Sequence, residues 1–356
     1  MALALSLGRR GMGRVWPNPA VGCVIVQAGR IVGRGWTADG GRPHAETQAL
    51  AQAGAAARGA TAYVTLEPCA HQGQTPPCAS ALIAAGVGRV VVAADDPDPR
   101  VAGRGLAMLQ DAGIAVEIGL MAEEAHTDLR GFLRRVTTGR PMLTLKLASS
   151  LDGRIATARG ESQWITGPEA RRAVHLLRAR HDAVMVGAGT ARADDPLLTV
   201  RGLGIDRQPV RVVVSRALDL PQEGQLAGSA ATTPLWLCHG PQVKAEVVAF
   251  WTGQGATCLT CAEDSGEIAP RSVMAALGDR GLTRVFCEGG GALAASLLRA
   301  GLVDELVVFA AGVMIGSEGL PALGPMRLER LSDAPRFVLR YVSPVGPDVM
   351  QVWSRA

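Results

Sequence analysis

The sequence predicts an α/β protein of two domains, and three observations carry that prediction. Short runs rich in Val and Ile alternate with Ala- and Leu-rich stretches of helical length in both halves of the chain. The 356 residues exceed what one hydrophobic core ordinarily serves. A charged stretch ending in Thr137-Thr138-Gly139-Arg140-Pro141 separates two such alternating blocks. The expected division is residues 1–122 as a first domain, 123–140 as a linker and 141–356 as a second domain.

Taken in order, residues 2–13 read as a helix ended by Gly11 and Gly13, and Trp16-Pro17-Asn18-Pro19 as irregular chain, since each proline restricts its neighbour. Ala20–Gln27 and Ile31–Trp36 read as strands paired through Ala28-Gly29. A helix is expected from His44 to about Ala57, then a strand over Ala62–Leu66, which stops at Glu67-Pro68-Cys69. Pro77-Cys78 opens the next helix, to Ala85, with proline at an early helical position. Strand Arg89–Ala94, helix 103–112 and strand 114–118 complete a largely parallel sheet. Glu123 to Arg135 reads as a charged connecting helix. The second block begins with strand Met142–Ala148. Its further strands are expected at Ala183–Val186, Val210–Val214, Leu235–Cys238, Arg284–Cys287, Val303–Ala310 and Asp348–Trp353, with helices at 167–180, 270–280 and 291–300.

Composition narrows the function classes. Hydrophobic residues make up 48% and aromatic residues only 4%, so aliphatic side chains must fill the core. The net charge of +4 is mild and the only lysines are Lys146 and Lys244; with no basic block, small anionic molecules are expected as ligands and nucleic acid is not. The apolar start of the chain lacks the charge order and cleavage pattern of a signal peptide, and no apolar run approaches about 18 residues, so no membrane association is expected. Seven cysteines, an odd number in a long chain, point to a reducing cytoplasm.

The chemistry concentrates in His44-Ala45-Glu46 and in the segment from Glu67-Pro68-Cys69 to Pro76-Pro77-Cys78. One imidazole and two thiols, with a fourth position left to water, form a donor set for a soft four-coordinate ion such as Zn²⁺. His44 and Cys78 fall at helix starts, where unpaired N–H groups favour thiolate. Such an ion acidifies bound water, and Glu46, two residues from the ligand, is placed to move the proton. H-x-E followed by P-C is the pattern of zinc deaminases, whose cysteines are usually two residues apart; here eight residues separate Cys69 from Cys78. The bland reading is a core histidine beside two buried thiols, and another is a closed structural zinc site. His71 reads as a substrate contact, with a fourth-ligand role as the alternative. Cys258-x-x-Cys261 has no matching second pair, and His126, His175, His181 and His239 have no partners at ligand spacing; all of these read as surface or core residues.

In the second block, Glu288-Gly289-Gly290-Gly291 runs from a strand end into a helix start, where backbone N–H groups can hold phosphate. Gly187-Ala188-Gly189-Thr190, Asp194-Asp195-Pro196 and Ser149-Ser150-Leu151-Asp152-Gly153 also fall at strand ends, where open α/β sheets bind ligands.

These residues resemble a known family, the bifunctional riboflavin-biosynthesis deaminase/reductases. The resemblance covers nearly the whole chain. It rests on Pro17-Asn18-Pro19-Ala20-Val21-Gly22, the two motifs around the metal donors with their long cysteine gap, Lys146-Leu147-Ala148-Ser149-Ser150-Leu151-Asp152-Gly153, Gly160-Glu161-Ser162-Gln163-Trp164-Ile165-Thr166, Asp194 to Arg201, and Glu288-Gly289-Gly290. It implies a cytidine-deaminase-like α/β/α sandwich followed by a dihydrofolate-reductase-like α/β domain. It implies one zinc per chain on His44, Cys69 and Cys78, with Glu46 as catalytic proton shuttle, and NADPH in the second domain. Cofactor contacts would be Ala148, Trp164, Thr190, Asp194, Ser215 and the run Gly290, Gly291, Ala292, Leu293, Ala294, Ala295 and Ser296. Substrate contacts would be Asn18, His71, Lys146, Ser162, Leu198, Arg201 and Glu288, with Arg201 suited to fork onto a sugar phosphate. The implied reactions are hydrolytic deamination of a diamino-phosphoribosylaminopyrimidine and reduction of the product's ribosyl group to ribityl. The partner is this small phosphoribosyl-pyrimidine, and a homodimer or homotetramer is expected. Gln74 departs from the Lys or Arg more usual in the cysteine loop. Two rival readings remain: a deaminase with a non-catalytic second domain, and a zinc-stabilised binding module.

Overall fold

The protein is described from a computed structural model covering residues 1–72, 76–99 and 101–356, so Gln74 lies outside the described residues. The chain forms two compact units, Met1–Arg140 and Pro141–Ala356. Among the described residues no helix is long and apolar enough to cross a membrane.

The first unit runs α1 (Ala2–Gly8), β1 (Gly22–Gln27), β2 (Arg30–Trp36), α2 (Ala45–Ala53), β3 (Thr61–Val64), α3 (Cys78–Ala84), β4 (Arg89–Val92), α4 (Arg104–Asp111), β5 (Ala115–Ile118) and α5 (Ala122–Thr138). Its sheet has the order β2-β1-β3-β4-β5. The expected strands are present, but the sheet is mixed rather than largely parallel: β1 is antiparallel to both β2 and β3, and only β3-β4-β5 run parallel. The reason is the turn. Ala28 and Gly29 both have positive φ, 48° and 75°, the geometry a two-residue hairpin turn demands. The hairpin reverses the chain before α2 carries it across β1 to β3. The segment 123–140, expected as a linker, is a helix whose Ala125 and Leu129 are buried in the core of this unit, at 0% and 2% exposure.

The second unit adds β6 (Met142–Ser150), β7 (Arg154–Ala156), α6 (Pro168–Ala179), β8 (Ala183–Gly187), α7 (Ala188–Asp194), β9 (Val210–Val214), α8 (Gln225–Gly228), β10 (Leu235–His239), α9 (Ala245–Gly253), β11 (Thr257–Thr260), β12 (Glu263–Asp264), β13 (Glu267–Ile268), α10 (Pro270–Asp279), β14 (Arg284–Cys287), α11 (Gly291–Arg299), β15 (Glu305–Ala311), β16 (Leu320–Pro321), β17 (Phe337–Val345) and β18 (Asp348–Arg355). Nine strands form one sheet in the order β11-β10-β9-β8-β14-β6-β15-β18-β17. All neighbours from β11 to β15 pair in parallel. The last two pairings are antiparallel, made by the β17–β18 hairpin. Central strands such as β8 and β14 are almost wholly buried, as a sheet covered on both faces requires.

Candidate active sites

The first site is positioned by close packing of α2 on β2. Ala45, Ala49 and Ala53 recur at i, i+4 and i+8 and are all buried. Gly33 and Gly35 lie beneath them. A Cβ on Gly35 would stand 2.1 Å from the Ala45 carbonyl oxygen, and one on Gly33 would stand 2.1 Å from that of Ala49. The helix therefore rests directly on strand backbone, and this fixes His44 at its N-cap and Glu46 in its first turn. Gln48 holds the same turn by donating to the Trp36 and Pro43 carbonyls.

Cys69 follows the end of β3, and Cys78 is the first residue of α3. The Cys78 backbone N–H donates to Cys69 Sγ at 3.3 Å, so the start of α3 faces that sulfur. His44 Nδ1 lies 3.3 Å from Cys78 Sγ and 3.7 Å from Cys69 Sγ, and the three donor atoms fall within 4.8 Å of one another. Cys69 is brought down to about 4, by its hydrogen bond with the Cys78 thiol and by His44. Cys78 is pushed up as the protonated partner of that pair. Two soft sulfurs and an imidazole, converging without a fourth protein donor among the described residues, fit a zinc ion with one open position. The Glu67 carboxylate anchors the loop on the other side. It accepts the N–H groups of Gly105 at 3.0 Å, Gly103 at 3.1 Å, Leu106 at 3.4 Å and Asp96 at 3.5 Å.

His44 and Cys69 open into a cavity of about 290 Å³ that is also lined by Asn18, Arg42, Glu46 and His71, and by Asp96, Asp98, Phe132 and Arg135. Glu46 is 4% exposed, and burial pushes its carboxyl up to about 7. Nδ1 of His71 is buried with no hydrogen-bond partner among the described residues. Asn18 and His71, read from the sequence as substrate contacts, therefore share one cavity with Glu46, His44 and Cys69.

The second site lies at the C-terminal ends of β6, β8 and β14. Two adjoining cavities, of about 410 and 590 Å³, share Lys146, Ala148, Ser162, Thr190, Asp194 and Glu288. The larger is walled by the turns Gly187–Thr190 and Gly289–Leu293, and Gly290 N–H donates to Thr190 Oγ1 at 2.9 Å. A Cβ on Gly291 would meet the backbone of Gly324, Ala322 and Pro321 at 3.2–3.3 Å, so small residues keep this cradle open. A strand end that feeds the first turn of α11 fits the phosphates of a dinucleotide. The smaller cavity adds Trp164, Leu198 and Arg201. Burial lowers the Lys146 ammonium, and Glu288 and Asp194 oppose that shift.

Four of the sequence-derived cofactor residues lie elsewhere. Ser215 is 2% exposed and its hydroxyl donates to Asp219 at 3.0 Å. Ala294 and Ala295 face the core from α11, and Ser296, one turn into that helix, lines neither cavity. Arg178, which the sequence reading passed over, and His175, which it took for a surface or core residue, do line the smaller cavity. Arg178 forks onto Glu288 at 2.5 and 3.0 Å, and His175 stands beside it. Their signal was the spacing 171, 175, 178 on one helix face, a polar stripe that reads equally well as solvated surface.

Comparison with known proteins separates the same two halves. The cytidine and deoxycytidylate deaminase zinc-binding region matches residues 1–94, and the RibD C-terminal domain matches residues 141–350. The riboflavin biosynthesis protein RibD of Escherichia coli strain K12 is 46% identical, over 98% of this chain and 96% of its own. The chain belongs to the RibD family. RibD of Haemophilus influenzae is 43% identical over 98% of this chain and 95% of its own. Among solved structures, Acinetobacter baumannii RibD superposes with a TM-score of 0.89 at 39% identity, covering 100% of this chain and 97% of that one. A Thermotoga maritima diaminohydroxyphosphoribosylaminopyrimidine deaminase/5-amino-6-(5-phosphoribosylamino)uracil reductase has a TM-score of 0.87 at 33% identity, with the same coverage. RibD membership thus joins a deaminase-type first unit to a reductase-type second unit in one chain.

Proposed function

We propose that this RibD protein carries out two consecutive steps of riboflavin biosynthesis, a hydrolytic deamination in the first unit and a reduction in the second. The substrate of the first is 2,5-diamino-6-(5-phosphoribosylamino)pyrimidin-4(3H)-one; that of the second is 5-amino-6-(5-phosphoribosylamino)uracil, whose ribosyl group becomes ribityl. The observation that carries the reading is the convergence of His44, Cys69 and Cys78 beside a cavity that His44, Cys69 and the buried Glu46 line, in a chain that also holds a glycine-lined strand-end cleft.

His44, Cys69 and Cys78 hold one zinc, which when bound supplies Lewis-acid activation of water. Glu46 takes a proton from the attacking water and returns it to the leaving amine. A carboxyl near 7 is matched to both transfers at neutral pH. Asn18 and His71 orient the pyrimidine. In the second unit, NADPH supplies the hydride. The Gly290–Leu293 turn and Thr190 receive its phosphates, and Ala148, Trp164 and Asp194 line its path. Lys146, Ser162, Leu198 and Glu288 orient the ribosyl group, and Arg201 faces the sugar phosphate. Arg178 holds the Glu288 carboxylate in place through its two-pronged ion pair. The protein works in the cytoplasm, in keeping with seven unpaired cysteines. It assembles with copies of itself through the β17 edge, where Val338, Leu339, Tyr341 and Val342 are 46–54% exposed.

The deciding experiment gives the diaminopyrimidine phosphate to the purified protein with and without NADPH, following ammonia and nicotinamide absorbance together. Ammonia release in both arms and NADPH oxidation in one are expected. Ammonia without NADPH oxidation would instead mark a deaminase with a non-catalytic second unit.

A further inference from the structure

Helix α6 turns three basic side chains into the smaller cavity of the second unit: Arg171, His175 and Arg178. Two of them are committed to protein partners. Arg178 forks onto Glu288, and Nη1 of Arg171 donates to the Thr166 carbonyl at 2.8 Å while its guanidinium lies over the Trp164 ring. His175 differs. Its Nδ1 accepts the backbone N–H of Arg201 at 3.2 Å. A ring nitrogen that accepts a hydrogen bond carries no proton, so in the neutral ring the proton sits on Nε2. Burial, then the charges of Arg178 and Arg201, hold the ring's pKa below its ordinary value, so the neutral form prevails at neutral pH. The Thr199 carbonyl, which accepts Arg178 Nη1 at 2.8 Å, is also an acceptor for the ring N–H and, with the Glu288 carboxylate, opposes that shift.

The outcome is a half-buried N–H donor of fixed tautomer, tied by its other nitrogen to the backbone of Arg201. A guanidinium and a neutral N–H donor side by side suit the oxygens of a phosphate monoester. A neutral donor adds a hydrogen bond without crowding a further cation among Arg171, Arg178 and Arg201. We propose that His175 is a further substrate contact of the reductase site, its Nε2–H donating to the phosphate of the ribosyl substrate alongside Arg201. This rests on the reductase reading above.

Two substitutions separate the contact from mere support of the Arg201 backbone. Asparagine places an acceptor near the position of Nδ1 and has nothing at Nε2; glutamine reaches the Nε2 position and lacks the Nδ1 acceptor. Full-length His175→Asn and His175→Gln are assayed for NADPH oxidation with 5-amino-6-(5-phosphoribosylamino)uracil and with its dephosphorylated form. Ammonia release from the deaminase substrate reports that each variant is folded. His175→Asn is expected to raise KM for the phosphorylated substrate roughly tenfold or more with kcat little changed. Its KM for the dephosphorylated form should stay put, and His175→Gln should recover most of the loss. A wild-type KM in His175→Asn, or equal losses in both variants, would overturn the proposal. If the wild-type protein itself oxidises no NADPH with this substrate, the reductase reading falls and the proposal with it.

Discussion

Glu46 and His181 show burial acting on two titratable side chains to opposite ends. Glu46 is raised towards neutrality inside a cavity, where a carboxyl can both accept and deliver a proton. Replacing it with alanine should reduce ammonia release roughly 10²-fold or more, while zinc content by atomic absorption stays near one per chain and supplied uracil product is still reduced. His181 is 4% exposed. Its Nδ1 lies 2.7 Å from the Leu177 carbonyl, its Nε2 lies 3.0 Å from Thr144 Oγ1, and its ring lies 5.1 Å from that of Phe286. Burial brings its pKa down to about 3. An unfolded histidine titrates near 6.5, so between about pH 6.5 and 3 the unfolded chain binds a proton that the folded chain does not. The stability present above pH 6.5 is therefore lost as pH falls, by about 1.4 kcal/mol per unit from this residue. Urea unfolding of wild type and His181→Gln at pH 7 and pH 5 tests it: the wild type should lose about 2 kcal/mol more than the variant across that interval.

At the scale of elements, the metal donors depend on how tightly α2 sits on β2. Gly35→Ala would put a methyl group 2.1 Å from the Ala45 carbonyl, forcing the helix start, and His44 with it, away from the strand. Overpacking of this kind costs about 1–3 kcal/mol. The variant should show a lower melting temperature together with weaker zinc retention during dialysis against a mild chelator. Unchanged zinc retention would mean that His44 is placed by its loop alone. Elements with a clean period were legible from sequence. The α2 alanine stripe and the Val/Ile runs of β1, β4 and β8 needed only their spacing. Elements without one were not. Helix α9 has apolar residues all round in Val247, Val248, Phe250 and Trp251, which gives no helical face to read. Strand β17 is exposed along most of its length, so it lacks the in–out alternation that marks a half-buried strand. Helix α5 read as a charged connector because its exposed faces outnumber the narrow stripe through Ala125 and Leu129 that joins the core.

For the whole molecule, the two chemistries should be separable in the intact chain. Chelation of zinc is expected to stop ammonia release while leaving NADPH oxidation on supplied product, since the metal donors all belong to the first unit. Coupled loss of both activities would instead make the metal a scaffold for the whole protein. Assembly through the β17 edge is tested by Tyr341→Lys together with Val342→Lys: light scattering should show a smaller particle if that edge is the contact, and an unchanged mass would rule it out. The donor cluster of the first site was legible in sequence, because metal donors of fixed type lie within a short span, whereas wall residues such as Arg42, Asp96 and Arg135 were not. The second was legible only in part, because a cleft built from strand ends gathers residues scattered from Lys146 to Ala322. Spacing alone could not tell Thr190, which lines it, from Ser215, which turns to Asp219.

The stretch between the two matched regions, residues 95–140, carries none of the metal donors. It nevertheless supplies Asp96, Asp98, Val101, Phe132, Arg135 and Val136 to the wall of the first cavity. A gene fragment cut where the generic deaminase region stops would encode every metal donor and the proton shuttle, yet leave that wall unbuilt. For anyone transplanting this deamination chemistry into another protein, the portable cassette ends at the close of α5, because only there is the wall of the cavity complete.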